Sequence, residues 1–357
     1  MATAQADHDH EYGAVRDGGA GLIDLSSRGR ILVSGADASM FLNGLITNDM
    51  KTLAVNSWMP AAFPNVQGRL LAAVRVIHRA DGFVIDTEAV THQTVFQLLD
   101  RFTLAGDFRV SDLTKQTNLF SIQGRRAAEM VGATLGEQAA NLERGKVANV
   151  KFESGEVTII CATHTAEEGF DLLVDEKDAA VLRNALISAG AQTVGDEVFE
   201  ILRIEAGIPR YGVDMDQTTV VSETNLDDAI SFTKGCYVGQ EIIVRIKHRG
   251  HVAKKLTGVT IFGERWNWNI PPNTEIVSDE HEGIGRITSI AHSPRLKSFA
   301  ALAYVKYDYL EEGIQVWVDQ GEKQIVAEIA SLPMVRGSWY PAKSNRSKEP
   351  ETEDSAE

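Results

Sequence analysis

Apolar positions along the first two thirds of the chain switch repeatedly between the period of strands and the period of helices. "RGRILVSG" (28–35) reads as a strand by its apolar core, Ile31–Val33. Asp37 stands where an N-cap would open a short helix carrying Met40, Phe41 and Leu45. "LLAAVRVIH" (70–78) and "GFVIDTE" (82–88) pattern as a hairpin across Asp81-Gly82. Val95, Leu98, Leu99 and Phe102 then share one face of a helix over about 91–102.

The pattern repeats about ninety residues later. "GFDLLVD" (169–175) echoes "GFVID" (82–86) and leads into a second helix. Asp178 is read as its cap, Val181, Leu182, Ala185 and Leu186 as its apolar face, and Gly190 as its stop. Two such units predict two intertwined α+β halves around a shared centre. From residue 256 the period changes for good. "KLTGVTIFG", "TEIVSDEHEGIGRITSIAH", "FAALAYVKYDYL" and "IQVWVDQGEKQIVAEIASLP" are short alternating strands with Gly turns, which predicts a small antiparallel barrel.

The expected organisation is a flexible arm (1–20), an α+β region (21–255), a β-barrel (256–338) and a disordered tail (339–357). "DHDHE" (7–11) in the arm reads as a solvated run rather than a metal site. The first residues lack the apolar core of a signal peptide, and no apolar run approaches the ~20 residues of a membrane helix, so the expected location is the cytoplasm.

Composition narrows the function classes. Thirty-five basic against 50 acidic residues give a net charge of −15, which argues against broad binding to DNA or RNA. Two cysteines, Cys161 and Cys236, exclude a disulfide framework and any metal or cluster site built from several cysteines of one chain. No phosphate-binding Gly-rich loop, dinucleotide fingerprint, HExxH or GxSxG motif is present.

One segment stands out against this background. "TKGCYVGQEII" (233–243) sets Cys236 in a Gly-punctuated loop with Lys234 two positions before it and Tyr237, Gly239, Gln240 and Glu241 after it. Lys234, and Arg245 beyond, would place positive charge near the thiol and favour the thiolate. The plain alternative is a small buried residue in a tight turn. Cys161, in "VTIICAT", reads as core. The loop runs into "IIVRIKHRGHVAKK" (242–255), where Arg245, Lys247 and Arg249 alternate as on one face of a strand, with Lys254 and Lys255 beyond. This basic strip could meet a polyglutamate tail, a phosphate or an RNA backbone, or serve only as a solvated edge. His248 and His251 are too loosely spaced for a metal site.

"KGCYVGQE" (234–241) resembles the K-G-C-Y-x-G-Q-E signature of the YgfZ-type folate-binding proteins, whose mitochondrial relatives act in iron–sulfur cluster assembly. "VSGADASMFLNGLITND" (33–49), "NVQGR" (65–69), "LRIEAGIPRYGVD" (202–214) and "GRITS" (285–289) agree in order, so the resemblance spans roughly residues 20–335. The wider family includes the aminomethyltransferase T-protein of glycine cleavage. It implies tetrahydrofolate, or a one-carbon derivative, in a central cavity between intertwined N-terminal domains, and a C-terminal β-barrel.

The resemblance also assigns candidate residues. By position, Glu167 would bind the pterin edge and Arg203 would order the same wall, with Asn65, Gln67, Arg69 and Arg245 as further folate contacts. Cys236 with Lys234 would be the reactive pair. Two departures bear on the branch. T-proteins carry an Asp-Asp pair after a Gly-Gly turn, where "GRLLAAVRV" has Ala72 and Ala73, and an alanine methyl cannot hold a cationic amine. Their G-Y-T-G-E pattern becomes "THTAE", with His164 in place of the tyrosine. The expected function is therefore a folate-binding accessory factor for iron–sulfur proteins, with a one-carbon transferase of T-protein type as the alternative and a folate-binding scaffold as a third reading. A single thiolate cannot hold a cluster alone, which leaves a bridge to a partner's cysteines, a persulfide or a redox contact.

Overall fold

The structure, a computed structural model, describes residues 2–248, 250–263, 270–321 and 323–340, with side chains from residue 7. The chain opens with α1 (Ala2–Arg16), β1 (Gly21–Asp24), β2 (Gly29–Ser34), α2 (Ala38–Leu45), β3 (Ser57–Pro64), β4 (Leu70–Arg79), β5 (Gly82–Thr87), α3 (Ala89–Asp100) and β6 (Arg109–Asp112). It continues through β7 (Thr117–Gln123), α4 (Ala127–Leu135), α5 (Glu137–Ala140), β8 (Val147–Phe152), β9 (Gly155–Cys161), β10 (Gly169–Asp175), α6 (Glu176–Ser188), β11 (Gln192–Val194) and α7 (Asp196–Glu205). An irregular stretch leads to α8 (Gln240–His248). Then come β12 (Lys254–Ile261), β13 (Glu275–Val277), β14 (Gly283–Ser293), β15 (Ser298–Lys306), β16 (Gln315–Asp319) and β17 (Gln324–Ala330).

The first eleven strands make two sheets, ordered β11-β1-β7-β10-β9-β8 and β3-β4-β5-β2-β6. The chain begins in one sheet with β1, builds the whole of the other with β2 to β6, and returns with β7. That excursion is the intertwining the repeated pattern predicts. The predicted hairpin is β4–β5, closed at Arg79 and Gly82. The sheets face each other across a core that includes Ile77 and Val84 from one and Ile23, Leu119, Ile160 and Leu173 from the other. Leu42, Val95 and Leu99 of α2 and α3 cover the outer face of the five-stranded sheet. Met130, Leu182 and Leu186 of α4 and α6 cover that of the six-stranded sheet. Strands β12 to β17 close into a six-stranded antiparallel barrel around an Ile/Val/Ala core, as the sequence predicts.

Several expectations fail locally. The predicted arm is a helix, because the last turn of α1 is anchored by polar contacts across the chain. Tyr12 Oη donates to Glu205 Oε1 at 2.8 Å, and Arg16 Nη2 donates to Glu205 Oε2 at 2.8 Å. Arg16 Nη1 also donates to Glu167 Oε1 at 3.0 Å and to the Thr165 carbonyl at 2.7 Å. Asp37 occupies the N-cap position of α2 but makes no cap hydrogen bond there; its Oδ2 accepts from the Asp107 backbone N–H at 2.9 Å. Asp178 lies in the first turn of α6, with Asp175 at the cap.

The 242–255 segment is not one strand. Residues 240–248 are α8, with Ile243 buried, and the barrel strand begins only at Lys254. The β-branched run misleads here because tertiary packing overrides propensity. Arg245 and Lys247 stand exposed in the last turn of α8, where cations complement the helix dipole, and Arg249 lies outside the described residues. At the other end, Trp339 packs against the six-stranded sheet's outer core, and residues 341–357 of the predicted tail lie outside the described residues.

Candidate functional site

A cavity of about 640 Å³ opens at one end of the paired sheets. Its walls come from the β1–β2 connection, from β3 and β4, from the 163–164 turn, from α7 and from the 208–229 segment. Trp58, Phe199 and Tyr211 give it aromatic surface, with Pro60, Ala73 and Met215 beside them. Trp58 is fixed by its Nε1–H, which donates to the Cys161 carbonyl at 2.9 Å. Tyr211 is fixed by its hydroxyl, which donates to the Leu70 carbonyl at 3.2 Å.

A ladder of charges runs under this wall, with Asp86 and Asp171 buried in it. Arg28 donates from Nε to Asp86 Oδ1 at 2.8 Å and also pairs with Glu88. Asp86 stands opposite Arg75 in the β4–β5 register, and Arg75 Nε donates to its Oδ2 at 2.7 Å. Arg75 then reaches across to the second sheet and pairs with Asp171 on β10. His164 Nε2 closes the ladder 2.9 Å from Asp171 Oδ2. Burial opposes ionisation of Asp171, but the His164 and Arg75 charges outweigh it and hold the carboxyl far below the usual range. Burial likewise opposes ionisation of Asp86, and Arg28 and Arg75 reverse the sign. Arg75 lines the cavity, and its Nη2, buried, has no hydrogen-bond partner among the described residues. Its guanidinium also lies 5.7 Å from the Trp58 ring centroid.

The residues singled out from the sequence divide among three places. Arg203 lines the cavity but is fully engaged: it pairs with Glu200, donates to Asp214 Oδ2 at 2.5 Å and donates to Ser289 Oγ at 2.7 Å on the barrel. It ties α7 to β14 and so orders the wall. Glu167 does not line the cavity. Its Oε2 accepts from the backbone N–H and hydroxyl of Ser338, both at 2.7 Å, and its Oε1 from Arg16. Both oxygens are engaged at a junction between α1 and the segment leaving the barrel.

The third place is the cysteine loop. Gly239, at φ +76°, packs so closely on the 65–68 turn that a Cβ would meet the Asn65 carbonyl at 2.3 Å. Asn65 holds that turn, its Oδ1 accepting from the backbone N–H of Gln67 at 2.9 Å and of Arg69 at 3.0 Å. Asn65, Gln67 and Arg69 therefore stand with the loop, outside the cavity lining. Ile242 and Ile243 of α8 close on Gly68 from the other side. Glu241 and Arg245 are exposed, and Gln240 Nε2 is 3.5 Å from the Lys234 carbonyl.

Lys234 is not aimed at the thiol. Its ammonium donates to the carbonyls of Asn43 at 2.7 Å, Ile46 at 2.9 Å and Asn48 at 2.6 Å, and lies 4.9 Å from the Tyr237 ring centroid. Asn43 is in the last turn of α2, so the cation closes that helix end. Burial pulls the Lys234 ammonium down to about 8, against a smaller opposing effect of Asp49. Cys236 is exposed, and Cys161 is buried in β9 as expected, its thiol pushed up to about 11 by burial.

Tyr237 joins the loop to the cavity. It is buried in a small core with Leu70, Met215, Val221, Ile230 and Ile243, against which Ala73 and Tyr211 pack. Met215, Ala73 and Tyr211 also line the cavity, so this core is the back of its wall. Sequence reasoning missed Trp58, Arg75, Asp171 and the placement of His164. Arg75 alternates with Ala73 on one strand face, which is the one signal that could have found it.

Comparisons with known proteins agree with this architecture. Residues 2–234 match the GCVT N-terminal domain, and residues 254–336 match the glycine cleavage T-protein C-terminal barrel domain. An aminomethyltransferase of Rubrobacter xylanophilus is 29% identical over 327 residues, covering 91% of this chain and 86% of that relative. A putative chloroplastic transferase of Arabidopsis thaliana, At1g60990, is 25% identical over 327 residues, covering 91% of this chain and 74% of its own. The solved glycine cleavage system aminomethyltransferase T of Bartonella henselae superposes with a TM-score of 0.81 at 22% identity, over 93% of this chain and 89% of that one, and so shares the fold. With domain matches that run through both the paired sheets and the barrel, the chain belongs to the GcvT family, that of the glycine cleavage aminomethyltransferase T-proteins.

Proposed function

We propose that this protein binds tetrahydrofolate, or a one-carbon derivative of it, in the central cavity and acts as a one-carbon transferase of the T-protein family. The observation that carries the reading is the cavity itself. Its size is that of a small-molecule site, and it offers flat aromatic surface at Trp58, Phe199 and Tyr211 beside a few convergent polar groups. A reduced pterin has the same character, with apolar faces and a polar edge. Arg75, with an unclaimed donor in the wall, and His164 supply hydrogen-bonding partners. The names of the relatives speak for transferase chemistry rather than for the iron–sulfur reading. Ala73, on the cavity wall where the resemblance places an acid, sets the reaction apart from transfer of a cationic aminomethyl group. Two cysteines in the whole chain suit a reducing compartment such as the cytoplasm; no helix among the described residues is long and apolar enough to cross a membrane.

Titration calorimetry with tetrahydrofolate and its 5-methyl, 5-formyl and 5,10-methylene forms tests this. Saturable binding of at least one is expected. No binding up to millimolar concentration would sink the reading.

A second reading, an accessory role toward iron–sulfur proteins, is favoured by one observation: the exposed thiol of Cys236 on a loop backed by the cavity wall. Under it, Cys236→Ser would leave folate affinity unchanged and lower iron–sulfur enzyme activity in cells that depend on the protein. Unchanged activity at normal protein levels would remove it.

A further inference from the structure

We propose that His164, held by Asp171, is the proton-exchanging group of the cavity and that its Nδ1 trades a proton with the bound ligand. The proposal rests on the folate reading and deepens it by naming the ligand class at this point: a reduced pterin presenting an exchangeable N–H or O–H.

The argument begins with the two faces of the imidazole. Nε2 lies 3.1 and 2.9 Å from the two oxygens of Asp171. A carboxylate only accepts, so these two contacts call for a proton on Nε2, from which Arg75 Nη1 also lies 3.5 Å. Nδ1 has no hydrogen-bond partner among the described residues, and His164 lines the cavity. One nitrogen is therefore anchored and the other is free to meet a ligand, which is the arrangement of an oriented base.

Charged groups surround this ring. The ladder holds three carboxylates, Glu88, Asp86 and Asp171, against two guanidiniums, Arg28 and Arg75. Other charged groups face the same space. Asp196, Glu197, Glu200 and Arg203 come from α7, Arg210 from the segment after it and Asp24 from the end of β1. Of these, Glu200 is engaged by Arg203 and Arg210. The Phe199 ring stands edge-on to the imidazole at 6.3 Å and limits solvent on that side.

The step balances without another reactant. A ligand N–H or O–H bond breaks, its electron pair stays on the ligand, and an N–H bond forms at Nδ1. Nε2 keeps its own proton toward Asp171, whose negative charge stabilises the imidazolium. The reverse step returns the proton.

The 15N resonances of the His164 imidazole, followed while tetrahydrofolate and 5-formyltetrahydrofolate are added at neutral pH, test the proposal; His164→Gln assigns the resonances by their loss. A change of protonation at Nδ1 on saturation is expected, with Nε2 protonated throughout. An unmoved Nδ1 in the saturated complex overturns the proposal alone, whereas no binding by any folate rejects the reading beneath it as well.

Discussion

Replacing Lys234 by methionine separates a structural clip from a thiol activator. The stem stays and the three donors go. The carbonyls of Asn43, Ile46 and Asn48 then lose the charged partner that each has at 2.6–2.9 Å. A buried carbonyl left unpaired costs about 1–3 kcal/mol. Relief from burying an ammonium offsets part of this, because burial already pulls Lys234 down to about 8. A net loss of about 3 kcal/mol is expected. Unfolding entropy of roughly 2.1 cal/mol/K per residue makes that a fall in Tm of about 4 °C for a chain of 357 residues unfolding as one unit. Scanning calorimetry and the rate of Cys236 alkylation should be read on the same sample. The expected result is a lower Tm with an unchanged alkylation rate. An unchanged Tm with slower alkylation would refute the geometry and restore Lys234 as the group that activates the thiol. Titration reads the burial cost separately: with its folded value depressed, the charged lysine costs stability at neutral pH relative to the neutral amine, and stability of the wild type should rise between about pH 8 and the unfolded lysine value of about 10.4.

A small alkylating agent at neutral pH should label Cys236 alone, since Cys161 is buried and its thiol sits near 11; mass spectrometry showing prompt labelling of both would contradict the burial. The wild-type protein should not release ammonia from an aminomethylated carrier protein in the presence of tetrahydrofolate; turnover would show that another cavity carboxylate replaces the acid missing at Ala73. Asp171→Asn leaves Arg75 and His164 facing an amide, which should cost about 3 kcal/mol. It should also flatten the acid limb of the stability curve: a carboxyl depressed in the fold contributes above about pH 3.9 and loses that contribution as pH falls, and an acid limb like that of the wild type would refute the ladder. Tyr237→Phe should keep or slightly raise the melting temperature, because the buried hydroxyl has no partner among the described residues; a clear drop in Tm would show that it has one in solution.

The barrel and the doubled α+β pattern were legible because each rests on local periodicity: alternating residues within strands and a helix after each. The excursion of β2 to β6 into a second sheet was visible as the echo of "GFVID" in "GFDLLVD". What could not be read was fixed by contacts distant in sequence. The last turn of α1 folds because Tyr12 and Arg16 meet Glu205, about 190 residues away, and nothing nearby marks those residues as anchors. Helix α8 was read as a strand because Ile242, Ile243, Val244 and Ile246 favour strands, whereas the Gly68 turn beside Ile242 and Ile243 offers a surface suited to a helix. The site suffered in the same way. Position in a motif suggested Glu167 as a ligand contact, but both its oxygens are used by Ser338 and Arg16. His164 looked like a mere replacement of a tyrosine until Asp171, from the strand that follows, oriented its ring.

The signature loop now divides by role. Lys234 closes the end of α2, Tyr237 fills the small core behind the cavity, and Gly239 lets the loop lie flat on the Asn65 carbonyl. Each is explained by packing. Cys236 is the residue of the loop with a reactive side chain and no structural task in view: it is exposed while its neighbours hold the backbone beneath it. The core they build contains Met215, with Ala73 and Tyr211 against it, and those three residues also form cavity wall. Tyr237, one residue from the thiol, therefore packs in the same core that backs the cavity.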